Sequence, residues 1–316
     1  TLLDDQGNIH VVSITRSVQG LGRFNLKKPI KSCLVVSYNH EINKINELEL
    51  NLPEEWITSV SAGLDSLDNL VVGGTYARKN RNVMNGTFYL KINPGEFEIL
   101  VQNLLPFDPS LVSKLALNRR RSNVELFEDY FLRNFQVHGN GSISMLAEEY
   151  YMEEECIEDP RTGQLICNFV YYFGDILLLN LGAEGEQKQI YSVSKLQQSH
   201  NKKGDLSSFA GVPTNKGFLV IFNDNPKNFG LRSNAPYKIR DLSNFNKAEA
   251  LMIQVDKDNI IDERPLIANR DDKFDFVPAY NHLHDDSMLI YVRIREKRYK
   301  FGKVTGTLNS SHYRSY

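Results

Sequence analysis

Three stretches of this chain carry residue types that could hold a metal ion or move a proton, and each also has a plainer structural reading. Asn223-Asp224-Asn225 follows an apolar run in the sequence FNDNPKN. Oxygen ligands at alternate positions suit Ca²⁺, but a calcium loop normally needs more carboxylates than Asp224 alone. The other reading is a turn in which Asn and Asp side chains bond their own backbone. His282 and His284 stand two residues apart, so on a strand they share a face, as zinc ligands can. Only His312 follows them, and the stretch also reads as an exposed hairpin tip. The third stretch is acidic: Glu148, Glu149, Glu153, Glu154, Glu155, Glu158 and Asp159. Strand alternation puts Glu153 and Glu155 on one face and Glu154 on the other, so the charges do not converge on a point. That leaves a contact for a basic partner or a solvated, projecting hairpin.

Arg119, Arg120 and Arg121, with Lys114 nearby, could meet a phosphate or an acidic surface, or could form a solvated helix end. The sequence has no glycine-rich phosphate loop, GxSxG elbow or HExxH pair, so no catalytic, metal or cofactor-binding residue is assigned. A glycosidase pair needs two acids at a defined separation in a cleft, and spacing alone places none. Of the three cysteines, Cys33 sits in the apolar run KSCLVVSY and reads as a small buried hydrophobe. Cys156 and Cys167 flank EDPRTGQ, a Pro- and Gly-containing turn. A hairpin symmetric about that turn sets them opposite each other, within reach of a disulfide. Two reduced thiols are the alternative. The disulfide is expected, and it requires an oxidising compartment.

The elements that must position these residues are strands. A turn followed by an apolar run comes round five times, in DDQGNIHVVSIT, SLDNLVVGGTY, GNGSISMLAEEYY, TNKGFLVIFND and HDDSMLIYVRI. The period of roughly 60 to 80 residues suits a unit of several strands. Between these starts the same order recurs: a second apolar run (KSCLVVSYN, GTFYLKIN, GDILLLNL, EALMIQVD, RYKFGKVTG), a more polar third, and a fourth leading into the next round. The polar run suits an outer strand, and the continuous apolar runs suit strands buried on both faces. The pattern predicts an all-β fold, a β-propeller of about five visible blades, as one domain over 1–316. TLLDD and LNSSHYRSY are candidate strands for closing the array, because an open edge would template aggregation. Pro109–Leu132 breaks the pattern with helix-friendly composition; it predicts a helical insertion that packs Leu111, Leu115, Leu126 and Phe127 on the edge. Residues 224–247 read as a long polar loop.

Composition narrows the function classes. The chain has 316 residues, 41% hydrophobic and 24% charged, with a net charge of −2. No global field is present to hold nucleic acid or an anionic membrane. No apolar run approaches the roughly 20 residues of a transmembrane helix. The chain opens at Thr1 without a charged-then-apolar leader, which reads as a chain whose targeting segment has been removed.

Three stretches, YFGDILLLNLGAEGEQKQIYSVSKLQQS, SSFAGVPTNKGFLVIFNDNPKN and ALMIQVDKDNII, resemble a group of secreted or outer-membrane-associated propeller-like proteins of Bacteroidota. The resemblance covers about Asn69 to Ile261 and is weaker in the first and last rounds. It implies architecture and compartment rather than a reaction: a periplasmic, outer-membrane-associated or secreted protein. It also suggests an outer-membrane protein-secretion complex, the type IX translocon, as a partner. The expected function is a non-enzymatic scaffold that binds protein, without a cofactor. Contacts are expected at the acidic hairpin (Glu153, Glu154, Glu155), the insertion (Arg119, Arg120, Arg121) and the loop that opens at Asp224 and Asn225. The alternative is a carbohydrate-active or other hydrolytic propeller with acids around a central channel.

Overall fold

A computed structural model of the chain describes residues 1–16, 30–50, 52, 55–78, 83–109, 112, 127–200, 204–214, 217–268, 274–280, 282–284, 287–294 and 298–305. The fold is all-β, and among the described residues none of the antiparallel sheets closes into a barrel. β1 (Leu2–Leu3), β2 (Ile9–Arg16), β3 (Ile30–Tyr38) and β4 (Lys44–Leu50) pair in chain order. β5 (Trp56–Leu64), β6 (Leu70–Ala77), β7 (Gly86–Asn93) and β8 (Glu98–Pro106) do the same. One pair, Ile30↔Ile57, joins the two meanders into one sheet.

A third meander holds β9 (Tyr130–Val137), β10 (Ile143–Glu158), β11 (Leu165–Leu181) and β12 (Gln187–Val193), with β13 (Gln197–His200) added on β11. β14 (Ala210–Thr214), β15 (Gly217–Asp224), β16 (Glu249–Asp256) and β17 (Ile261–Ala268) form the fourth. In the fifth, β18 (Phe274–Phe276) and β19 (His282–His284) both pair with β20 (Ser287–Ile294), whose other edge takes β21 (Arg298–Thr305). The runs read as strands from the sequence are strands, and TLLDD supplies β1. LNSSHYRSY begins beyond the last described residue.

Burial follows strand position. Every residue of β6 and of β15 is buried, as continuous apolar strands covered on both faces must be. The outer strand β4 instead alternates between exposed and half-buried positions. The chain divides into two compact units, residues 1–147 with 178–190, and residues 148–177 with 191–316. The first unit has a core of Cys33, Val35, Leu70, Val72, Phe88, Leu90 and Ile92 among others. In the second, Leu219, Ile221, Met252, Phe276, Met288 and Ile290 pack together.

One turn recurs through both units. At Asp4–Asn8, Asn39–Asn43, Asp65–Asn69, His138–Ser142, Gly182–Glu186 and Asp256–Ile260, the first residue accepts from the fourth N–H and donates to the fifth carbonyl. Asp4, Asn39, Asp65 and Asp256 also use Oδ1 to accept the third and fifth N–H groups. The fourth residue has a left-handed backbone: Gly7, Ile42, Asp68, Gly141, Gly185 and Asn259 lie at φ of 82°, 65°, 58°, 86°, 77° and 63°. This is a type I turn followed by a left-handed residue, a common hairpin connection. Gly and Asn take that conformation readily, and Ile does not.

The expected helical insertion is only partly visible. Leu111, Leu115, Arg119, Arg120, Arg121 and Leu126 lie outside the described residues. Tyr130–Leu132 are strand rather than helix, because their residues open β9. Phe127 is buried and stacks edge-on against Phe107 and Tyr130, at 5.0 and 5.8 Å between centroids. The loop after β15 holds one helical turn, α1 (Leu231–Asn234), and three 3₁₀ turns.

Ile42 is 72% exposed, so its side chain gains little from packing while its backbone is strained. Ile42→Gly should raise stability in urea unfolding by about 1 kcal/mol, the low end of the cost of a left-handed non-Gly residue. A loss would show that the Ile42 side chain matters more than its backbone.

Candidate functional site

Two features of the second unit concentrate polar chemistry: a buried charge network and an exposed arm. The network begins with Glu148, which lies in the apolar run ISMLAEEYY of β10 and is fully buried. A buried carboxylate is costly unless paired and hydrogen-bonded. Lys195, also fully buried, supplies the pair from just beyond β12, with Nζ 2.9 Å from Glu148 Oε1. The same Nζ donates to the Phe173 carbonyl at 3.0 Å and to Gln197 Oε1 at 3.1 Å, so all three ammonium hydrogens have acceptors. Ser208 Oγ donates to Glu148 Oε2 at 2.7 Å. Gln197 Nε2 donates to the Asn223 carbonyl, and its Oε1 accepts the Ser208 N–H.

Asn223 carries the network into β15. Its Nδ2 donates to the carbonyls of Leu206 and Phe276. Next to it, Asp224 pairs with Arg232 of α1 and accepts from Asn228 Nδ2. Arg232 also pairs with Glu263 of β17 and donates Nε to the Ser194 carbonyl at 2.8 Å. Its guanidinium lies over the Phe222 ring, 5.1 Å from the centroid. Burial pushes the nearby Tyr191 phenol above its ordinary value, against the pull of Arg232.

This arrangement is structural chemistry. An amine nucleophile needs a free lone pair, and Lys195 is held as a threefold donor. A catalytic acid or base must reach a substrate proton, yet both oxygens of Glu148 and both of Asp224 are engaged internally. As for the calcium reading, Asp224 is committed to Arg232 and Asn228. Asn225 caps the 3₁₀ turn at Pro226–Asn228 and donates to the Asp241 carbonyl. The backbone of His282 and His284 forms β19, turning into β20 with His284 opposite Ser287. Their side chains lie outside the described residues.

Residues in SVSK-LQ, FND and NPKN thus meet in one buried network, joined by a glutamate that the sequence reading placed in the solvated hairpin. For Glu148 that reading is corrected: it belongs to the interior because it precedes the exposed part of β10. The signal available was its position at the end of a continuous apolar run, where a lone acid implies a cation elsewhere.

The exposed feature is the far end of β10 and β11. These strands have 16 and 17 residues, and the other described strands have nine or fewer. From Glu153 to Glu158, and from Leu165 to Cys167, every residue is exposed, while Asn168 and Phe169 are half-buried and Val170 is buried, so both strands are exposed together as a ribbon over about 10 Å at the far end. Asp159–Gly163 make the tip, with Gly163 at φ 68°. Cys156 and Cys167 are bonded across the ribbon. Glu153, Glu154 and Glu155 are exposed while Asp224 is buried. Of the expected contact residues, these and Asn225 are the ones placed; Arg119, Arg120 and Arg121 lie outside the described residues.

No family model matches the chain, and no curated protein matches it.

Removing one partner of a buried ion pair strands the other charge, at a cost of about 3–5 kcal/mol. Lys195→Met should therefore lose that much stability in urea unfolding, and adding Glu148→Leu should restore part of it. Equal loss in the single and double variants would show that the charges do not act as a pair. The disulfide should act locally, because the ribbon has no core to cover it. Reduction, or Cys156→Ser with Cys167→Ser, should speed amide exchange in residues 153–168 and leave β15 and β16 unchanged. Faster exchange throughout would assign the bond a global role.

Proposed function

We propose that this chain is a β-propeller-like scaffold that works by binding a protein, without turnover, in an oxidising compartment of the cell envelope or outside the cell. The observation that carries this reading is the stapled arm. A minimal meander ends its strands at the sheet, and here two strands run on into solvent with a covalent tie between them. Extensions of this kind on a rigid scaffold are where recognition is usually carried.

Successive antiparallel groups of about four strands suit a propeller, whose blades are four-stranded sheets. The disulfide supports the compartment, since thiols stay reduced in the cytosol. The binding reading gains from Glu148 and Asp224, whose carboxylates are committed to internal partners. The resemblance to envelope proteins of Bacteroidota adds an outer-membrane secretion complex as the partner class to examine.

The test is chemical cross-linking of the tagged chain in its native cells, followed by purification and identification of attached proteins. A single protein recovered in near-stoichiometric yield is expected. Recovery of none, together with hydrolysis of a glycan or peptide by the purified chain, would overturn the proposal in favour of a hydrolytic enzyme.

A further inference from the structure

The arm has two different faces, and one is suited to a particular kind of partner. The Cys156–Cys167 bond and the stacked rings of Tyr151 and Tyr172, 4.6 Å apart and 10° from parallel, fix the same register. In that register strand alternation places Tyr151, Glu153, Glu155 and Ile157 on one face, opposite Tyr172, Val170, Asn168 and Ile166. The Tyr172 phenol agrees: burial raises its pKa, and the carboxylates of Glu153 and Glu155 raise it further, with a hydrogen bond to Glu153. This face therefore runs from an aromatic stack, past the buried Val170 beside Glu153, through two carboxylates to a pair of isoleucines. Ile157 is 65% exposed and Ile166 is 53% exposed. An apolar cross-strand pair left in water at the end of an acidic stripe is an anchor without a socket.

We infer that this face of the arm docks a protein segment in which lysine or arginine alternates with apolar side chains, the cations meeting Glu153 and Glu155 and an apolar residue covering Ile157 and Ile166. Charge complementarity sets the sign of the partner. The ribbon between Glu153 and Asn168 carries five carboxylates against one guanidinium, Arg161. Opposite charges speed the encounter and reject acidic partners. The isoleucines give the contact a desolvated centre, where binding energy concentrates. An extended segment fits best, because its alternate side chains match the alternation of carboxylates and isoleucine along the face.

The inference rests on the binding reading above, and its test separates the two. The full chain is titrated with a labelled peptide of alternating lysine and valine, and with its glutamate–valine counterpart, by fluorescence anisotropy. The basic peptide should bind and the acidic one should not. Glu153→Gln with Glu155→Gln should weaken binding at least tenfold and flatten its salt dependence. Ile157→Ser with Ile166→Ser should weaken it similarly while keeping the salt dependence. Unchanged melting temperatures would show that both variants fold. Equal binding to all forms, or no binding, would overturn the inference. A partner cross-linked equally by wild type and both variants would also overturn it while leaving the binding function standing. Failure to capture any protein would instead remove the binding function.

Discussion

The Glu148–Lys195 pair is the interaction on which the second unit depends. Two ions are taken fully out of water, and the cost is offset because each carboxylate oxygen and each ammonium N–H has a partner within the fold. The requirement is geometric as much as energetic. The ammonium has three directions to satisfy, and its three acceptors come from β10, β11 and the start of β13. These segments must arrive together or the charge is stranded. Interior polar networks of this type are costly when half made and specific when complete. Arg232 repeats the logic, gathering Asp224, Glu263 and the Ser194 carbonyl, and so ties α1 to β15, β17 and the chain before β13.

The first unit is held differently. Its interior is mostly aliphatic and aromatic, with short polar contacts between strands, such as His10–Ser37 and Ser144–Asn180, and others at turns. The Tyr89 hydroxyl, fully buried in β7, lies 2.8 Å from the Gly141 carbonyl and 2.9 Å from that of Ala183. These carbonyls belong to two copies of the recurring turn. Asp65 anchors a third copy: its carboxylate is 2.9 Å from Lys91 Nζ and also takes the N–H groups of Leu67 and Asn69. Burial pushes the Asp65 pKa up, but these bonds outweigh it and hold the group below its usual value.

The strands were legible because burial writes itself into composition. β6 and β15 are apolar throughout, and β4 alternates, so buried and outer strands separate on inspection. The turns were legible because few residues tolerate a left-handed backbone, and Gly or Asn marks most of those positions. The partner of Glu148 was not legible, since Lys195 lies 47 residues away and nothing local in either stretch names the other. The same holds for Arg232, which reads as an ordinary loop arginine until β17 brings Glu263 beside it. Sequence spacing records neighbours along a strand and across a short hairpin. It does not record a charge that must find its counterion across several strands.

The arm carries a hazard along with its use. Two strands that run on past their sheet are a template for a second copy to add to. Carboxylates on both faces work against that: two such ribbons brought edge to edge would set like charges against each other with little solvent between. The density of glutamate beside Cys156 therefore has a defensive meaning, keeping an exposed ribbon from recruiting its own kind.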